Sequence, residues 1–310
     1  MPATGFNKHK KPPETVINKG VAPNLTARNM IVFSLRDEVA SFVNQQRKNK
    51  KSIGFVATMG ALHHGHLSLI DIAKQQNDVV ICSIFVNPLQ FNNKNDFDKY
   101  PHTLEADLKL LEAEKCDVVF TPSTDEVYNY PDPTIFNFGK LDKVMEGVYR
   151  PGHFEGMAKV VKRLFDIVQP DTAYFGEKDF QQLAIIRKFS NDLHIPLNIT
   201  GCPIVRETDG LAMSSRNILL SHEQRNLAPQ IFESLKSAKK KVEHISPSEL
   251  KKWVAEKINE IKGFELEYFE IANVATLETI DTWDHKTTTM GFIVVRVGTV
   301  RLIDNIVLLP

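Results

Sequence analysis

Apolar residues along this chain fall into two alternating rhythms. Apolar runs at 53–57 and 79–86 have the length and composition of strands buried on both faces, and further short strands are expected at 117–120, 172–175 and 197–200. Between them, apolar residues recur at helical spacing in 35–46, from Leu67 through Ala73, and in 104–111, 157–168 and 180–189. Strands alternating with helices predict an α/β protein, a Rossmann-like parallel sheet with helices on both faces. Ligands of such a sheet gather beyond the carboxyl ends of its strands. After Ser221 the pattern changes to two long charged helices, 223–242 and 246–261. A segment over 264–272 and strands at 292–297 and 300–303 follow, the last two joined through Gly298-Thr299 in a hairpin turn. The expected organisation is a disordered tail over 1–25, a Rossmann-like body over 26–204 and a smaller α+β C-terminal domain over 205–310, with a hinge in 201–205.

Composition narrows the class. A chain of 310 residues, 42% hydrophobic, can bury a large core. Lysine plus arginine and aspartate plus glutamate each number 38, so no net charge favours nucleic acid or an anionic membrane, and neither is expected as a partner. No apolar run approaches the roughly 20 residues of a bilayer span. Cys82, Cys116 and Cys202 are odd in number, far apart and set in apolar surroundings. They read as buried free thiols in a reducing compartment, which points to the cytoplasm. The first 20 or so residues, with Lys8, Lys10, Lys11, Pro12 and Pro13, lack the arginine and amphipathic pattern of an organellar address.

Candidate chemistry sits where strands hand over to helices. Ala57-Thr58-Met59-Gly60-Ala61-Leu62-His63-His64-Gly65-His66 places histidines at a helix N-terminus, where unpaired backbone N–H groups and the aligned peptide dipoles favour phosphate. His63 and His66 share one face, His64 points elsewhere, and Gly60 and Gly65 allow close backbone approach. Taken alone, such a pair is also an ordinary cap or surface pair; a zinc site would want further ligands at short spacing. Asn87 and Gln90 follow the run at 79–86, and amides there suit a polar, anionic substrate. Gly176-Glu177-Lys178-Asp179 again links a strand to a helix, with Lys178 as a point charge for phosphate, Asp179 as a helix cap and Gln182 one turn on. Met213-Ser214-Ser215-Arg216 has the composition of a mobile phosphate-closing loop or of a simple polar cap. Arg150 and His153 flank a glycine-rich turn where arginine can take a carboxylate or phosphate, and Asp107 is either a metal contact or a solvated helix carboxylate.

In combination, Thr58 to His66, Phe85 to Phe91, Arg150 to Gly156, Phe175 to Gln182, Asp209 to Asn217 and Arg301 to Asn305 make the chain, from about Ile31 to its end, similar to the pantoate–β-alanine ligases of the nucleotidyltransferase-type Rossmann superfamily. That resemblance implies ATP, pantoate and β-alanine as substrates, Mg²⁺ with the ATP, a pantoyl-adenylate intermediate, and a homodimer. It implies ATP contacts at Met59, Gly60, Ala61, Leu62, His63, His64, Gly65 and His66, at Gly176, Glu177, Lys178 and Asp179, at Val205 as an adenine-contacting strand end, and at Met213, Ser214, Ser215 and Arg216. Gln90 and Gln182 would hold pantoate; Asn87, Arg150 and His153 are further substrate contacts, and His66, His63 and Lys178 the catalytic group. Two positions depart from the family pattern: Ala57 stands where proline is common and His102 where arginine is usual. The His-x-Gly-His turn alone also fits a nucleotidylyltransferase, an aminoacyl-tRNA synthetase or a silent nucleotide-binding regulator. Gln90 and Gln182, the absence of a basic surface, and Lys178, His66 and Arg216 count against these in turn.

Overall fold

A computed structural model describes residues 30–91, 97–98 and 100–310; the tail expected over 1–25 lies outside them. Strands β1 (Ile31–Phe33), β2 (Ile53–Thr58), β3 (Val79–Ile84), β4 (Val118–Phe120), β5 (Thr172–Gly176) and β6 (Asn198–Cys202) form one sheet in the order β1-β4-β3-β2-β5-β6. Every pairing is parallel. After β2 the chain moves outward through β3 and β4, then returns to add β5 on the other side of β2. This reversal opens a crevice at the carboxyl ends of β2 and β5.

Helices α1 (Arg36–Lys48), α2 (His64–Gln76), α3 (Leu104–Ala113), α4 (Thr124–Tyr128), α5 (Glu146–Tyr149), α6 (His153–Val168) and α7 (Phe180–Asp192) make the connections. Strand alternation sorts the core into two layers. Ile53, Phe55 and Ile81 pack with Phe42, Phe165 and Phe189 of α1, α6 and α7. Val56, Val80 and Cys82 pack with Leu67, Ile70 and Leu111 of α2 and α3 on the opposite face. The apolar positions of α6 recur at Met157, Val160, Val161, Leu164, Phe165 and Val168, a stripe facing the sheet. All three cysteines are buried and free. Among the described residues no helix is long and apolar enough to cross a membrane.

The C-terminal region is an antiparallel sheet of β7 (Phe264–Asn273), β8 (Thr289–Val297) and β9 (Val300–Leu309), packed against α8 (His222–Leu227), α9 (Gln230–Lys239) and α10 (Pro247–Asn259). Ser246 and Glu249 close a capping box on α10, with Pro247 in its first turn. Gly298 turns the β8–β9 hairpin at φ +60°.

Several expected boundaries shift. The single helix expected over 223–242 is two, interrupted at Pro229, which has no N–H to donate to the preceding turn. Gly201 and Cys202, expected in a hinge, lie inside β6, paired with Phe175 and Gly176. Strands β8 and β9 run beyond their apolar cores because each pairs along nearly its whole length.

Candidate active site

The loop leaving β2 adopts backbone geometry that most residues avoid. Gly60 (φ +79°) and Ala61 (φ +49°) both occupy the left-handed region. The carboxylate of Asp107 on α3 accepts the N–H of Ala61 at 3.0 Å through Oδ2 and that of Leu62 at 2.8 Å through Oδ1; the Thr103 hydroxyl donates to Oδ2 at 3.1 Å. The metal contact expected of Asp107 therefore gives way to another role: this buried carboxylate, 2% exposed, clamps the loop backbone. Its alternative as a solvated helix-face group fails for the same reason.

His63 caps α2. Its Nδ1 accepts the Gly65 N–H at 3.1 Å, and His66 Nδ1 accepts the His63 N–H at 3.4 Å. With both Nδ1 atoms occupied as acceptors, the neutral rings carry their protons on Nε2. The ring centroids are 4.1 Å apart. Burial, with Lys178 nearby, lowers His63 to about 4 against the opposing Asp179 charge; burial, then His63 and Lys178, lower His66 to about 3. Two neutral N–H donors thus meet at a helix N-terminus, a setting for an anion.

Gln90 ends a short 3₁₀ turn, Pro88–Gln90, and Asn87, His153 and Met59 hold it, the last accepting from Gln90 Nε2 through Sδ at 2.7 Å. Asn87, 1% exposed, donates to Gln90 Oε1 at 3.2 Å and to the Gly156 carbonyl at 3.1 Å, while its own oxygen accepts from Leu89 N–H and the Tyr128 hydroxyl. His153 Nδ1 lies 2.9 Å from the Gln90 carbonyl. Gly156 leaves α6 free to approach: a Cβ there would stand 2.0 Å from the Leu89 carbonyl oxygen. After β5, the turn Glu177–Asp179 carries Lys178, whose Nζ lies 3.9 Å from Asp179 Oδ2. Asn305 of β9 donates to the carbonyls of Glu177 and Lys178 at 2.9 and 3.0 Å. The fourth piece, Met213 to Arg216, is tied to the first by Ser215 Oγ, which donates to the Ala61 carbonyl at 2.9 Å.

These pieces meet in one cleft with a cavity volume of about 230 Å³, where His63, His66, Lys178, Arg216, Gln90 and Gln182 all reach the wall. Met59, Gly65, Gly176, Asp179, Val205, Met213, Ser214 and Ser215 also line it. Gly60, Ala61, Leu62, Glu177 and Asn87 do not; they shape the loops behind it, and His64 is exposed. Arg150 and His153 border a smaller adjoining cavity of about 40 Å³ that shares Lys178, Asp179 and Gln182. There Arg150 pairs with Glu146 at 3.5 Å, and burial followed by Arg150 lowers His153 to about 4. Val205 is not a strand end: β6 stops at Cys202. Tyr100, unforeseen from sequence, is buried in the cleft wall, stacks edge-on with Phe91 at 5.7 Å and bonds Ser215. Its signal was an aromatic residue following a polar stretch of sequence beyond Phe91. Among the described residues no group of three or more His, Cys, Asp or Glu is placed to hold a metal.

A switch-point crevice with imidazole and cationic donors on one wall and carboxamides on another is the architecture of an α/β enzyme that binds an anionic ligand beside a polar one. The Pantoate-beta-alanine ligase family model matches residues 31–307, and the chain belongs to that family of ligases. It is 47% identical to the pantothenate synthetase of Porphyromonas gingivalis over 277 residues, which is 89% of this chain and 99% of the relative. The fold superposes on the crystal structure of pantothenate synthetase from Thermus thermophilus with a TM-score of 0.84 at 39% identity, covering 91% of this chain and 100% of that one. A Francisella tularensis pantoate-beta-alanine ligase structure, complexed with beta-gamma ATP and beta-alanine, matches at TM-score 0.76 and 37% identity over 90% of this chain and 98% of its own.

Proposed function

We propose that this chain condenses pantoate with β-alanine using ATP, through a pantoyl adenylate, and releases pantothenate, AMP and pyrophosphate. The observation that supports it most is the shared wall of one cleft: His63, His66, Lys178 and Arg216 toward phosphates, Gln90 and Gln182 toward an acid. A pantoate carboxylate oxygen attacks the α-phosphorus while the bond to the β,γ-diphosphate breaks; no proton moves, because the attacking group is already an anion. The β-alanine amine then attacks the activated carbonyl carbon, the bond to AMP breaks, and the amine loses its proton. Holding the carboxylate in line with phosphorus supplies much of the rate, and fixed donors stabilise charge gathering on pyrophosphate.

His63 and His66 act in this reading as neutral Nε2–H donors to phosphate oxygens, with Lys178 and Arg216 as the cations. Mg²⁺ would ride on the ATP phosphates and neutralise their charge. The exposed Asp179 carboxylate on the cleft wall fits such a cation, since Mg²⁺ typically takes one or two carboxylates with phosphates and water. The body over 26–204 then holds ATP and pantoate, and 205–310 serves as the lid. The same reading places a homodimer in the cytoplasm without nucleic-acid or membrane partners; balanced charge and three buried free thiols support that setting.

Isotope exchange between pyrophosphate and ATP tests the reaction. It is expected to require pantoate and not β-alanine, and a panel of other hydroxy acids should support it poorly. Exchange of equal rate without pantoate would overturn the adenylate route.

A further inference from the structure

We propose that Asp107 is a positioning residue for the nucleotide side of the reaction, holding the histidine loop and the Ser215 loop in register through a single peptide group. The proposal rests on the function given above, and four observations carry it. First, Asp107 is a buried carboxylate, 2% exposed, whose two oxygens accept the consecutive N–H groups of Ala61 and Leu62. Second, Ala61 is a residue with a side chain held at φ +49°, a conformation that costs about 1 kcal/mol or more without external support. Third, the residue after Leu62 is His63, the cap whose backbone N–H also donates to His66 Nδ1 and so orients that ring. Fourth, the Ala61 carbonyl accepts Ser215 Oγ, so the residue pinned through its N–H by Asp107 anchors the phosphate-facing segment Met213 to Arg216 through its C=O. A Cβ on Gly60 would meet Asp107 Oδ2 at 3.0 Å, so glycine is what lets the carboxylate close on the turn.

Asp107 does not line the cleft, so it acts through the loop and not on substrate. Only a carboxylate can accept both N–H groups; an asparagine in the same place offers one oxygen and turns an NH₂ toward the second N–H. The loop then relaxes, and the Nε2–H donors of His63 and His66 move off the phosphates. Gln182 stands on α7, and Gln90, although its Nε2 also donates to Met59 Sδ at 2.7 Å, is held by Asn87 and His153, so the acid side keeps its main supports.

The test is Asp107→Asn in the full-length enzyme, read by steady-state kinetics for each substrate, by affinity for a non-hydrolysable ATP analogue, and by histidine-ring NMR. The KM for ATP and the analogue's Kd are expected to rise about tenfold or more, with the pantoate KM within about twofold. The ring signals of His63 and His66 should shift. Adding Ala61→Gly is expected to recover most of the ATP defect, because glycine takes φ +49° unaided. Equal losses for ATP and pantoate, unmoved histidine signals, or no recovery with Ala61→Gly overturn the proposal. Should Asp107→Asn fail to fold, Thr103→Val, which removes only the hydroxyl donated to Asp107, carries the same test with a smaller change in the same direction; no selective ATP effect there also overturns it. Absence of pantoate-dependent exchange in the unaltered enzyme would instead strike the proposed reaction, while analogue affinity and the ring signals still report on Asp107.

Discussion

At the scale of single residues, the histidines at the start of α2 are donors made by position. Capping bonds occupy both Nδ1 atoms, and burial beside Lys178 disfavours a second proton on either ring. In the free enzyme, NMR between about pH 5.5 and 8, the range where an ordinary imidazole changes charge, should show both rings neutral and protonated on Nε2 throughout; a titration of either near 6.5 would contradict this account. His66→Ala is expected to fold and to lose about 10²–10³-fold in kcat, the usual loss for one preorganised donor, measured by pantothenate formation. The same depressed values set a pH dependence of stability. An unfolded chain takes up protons at His63, His66 and His153 as pH falls below 6.5, whereas the folded chain resists until about 4, 3 and 4 respectively. Stability from these groups is therefore full at about pH 7 and falls through about pH 6 and 5, by up to about 1.4 kcal/mol per pH unit for each histidine. Urea midpoints recorded at about pH 7, 6 and 5 should decline in that order, and a midpoint flat across the window would contradict it.

At the scale of elements, α6, whose Met157 and Val160 line the cleft, shows how a helix sets the turn that carries Gln90. Its first turn presses against the Pro88–Gln90 turn so closely that Gly156 has no room for a methyl group. Helix propensity alone would favour alanine there by about 1 kcal/mol, but the 2.0 Å clash with the Leu89 carbonyl decides the sign, and overpacking of this kind costs about 1–3 kcal/mol. Gly156→Ala is accordingly expected to lower the melting temperature and to raise the pantoate KM several-fold while the ATP KM changes little, read from paired kinetics; equal rises would separate α6 from Gln90. This contact also shows what the sequence could and could not convey. Strand and helix succession was legible because buried parallel strands are unbroken apolar runs, and the strand-to-helix turns announced Lys178, His63 and His66 by residue type. The packing of α6 on another loop was not, since a Gly in a helix looks the same whether a carbonyl or solvent faces it. For Asp107 the sequence showed a helix carboxylate; its bonds to Ala61 and Leu62, 46 and 45 residues away, depend on tertiary contact alone. The bonds of Tyr100 to Ser215 and of Asn305 to the Lys178 turn depend on tertiary contact in the same way. Pro229 is visible in sequence, but the apolar periodicity on either side masks the break it makes.

At the scale of the molecule, the C-terminal sheet meets helices α5 and α7 of the parallel-sheet body over charge as well as over apolar surface. Met145, Tyr268, Phe292 and Val294 form a shared apolar cluster, with Phe180 of α7 packed on it. Beside it Arg301 of β9 reaches Glu146 of α5 through Nη1 at 2.8 Å and Nη2 at 2.6 Å, and Glu267 of β7 at 2.6 Å; Tyr268 donates to Glu146 at 2.8 Å. Burial would raise Glu146, but these cations and donors win and hold it below the usual carboxylate range. Farther along β9, Arg206 pairs with buried Asp304, whose neighbour Asn305 grips the Lys178 turn, so the C-terminal sheet is wired to the cleft wall by its last strand. Such a network costs desolvation to build, and its members depend on one another more than on the sum of pairs. Arg301→Met strips Glu146 of its bidentate partner, leaving Arg150 and Tyr268 in support, and is expected to destabilise by about 3 kcal/mol. Glu146→Gln in the same chain removes the stranded charge, so the double variant should be more stable than Arg301→Met alone. Urea unfolding of the two single variants and the double closes the cycle. Additive losses would mean that the ion pair does not couple the C-terminal sheet to α5 and that the apolar cluster around Met145 holds them unaided.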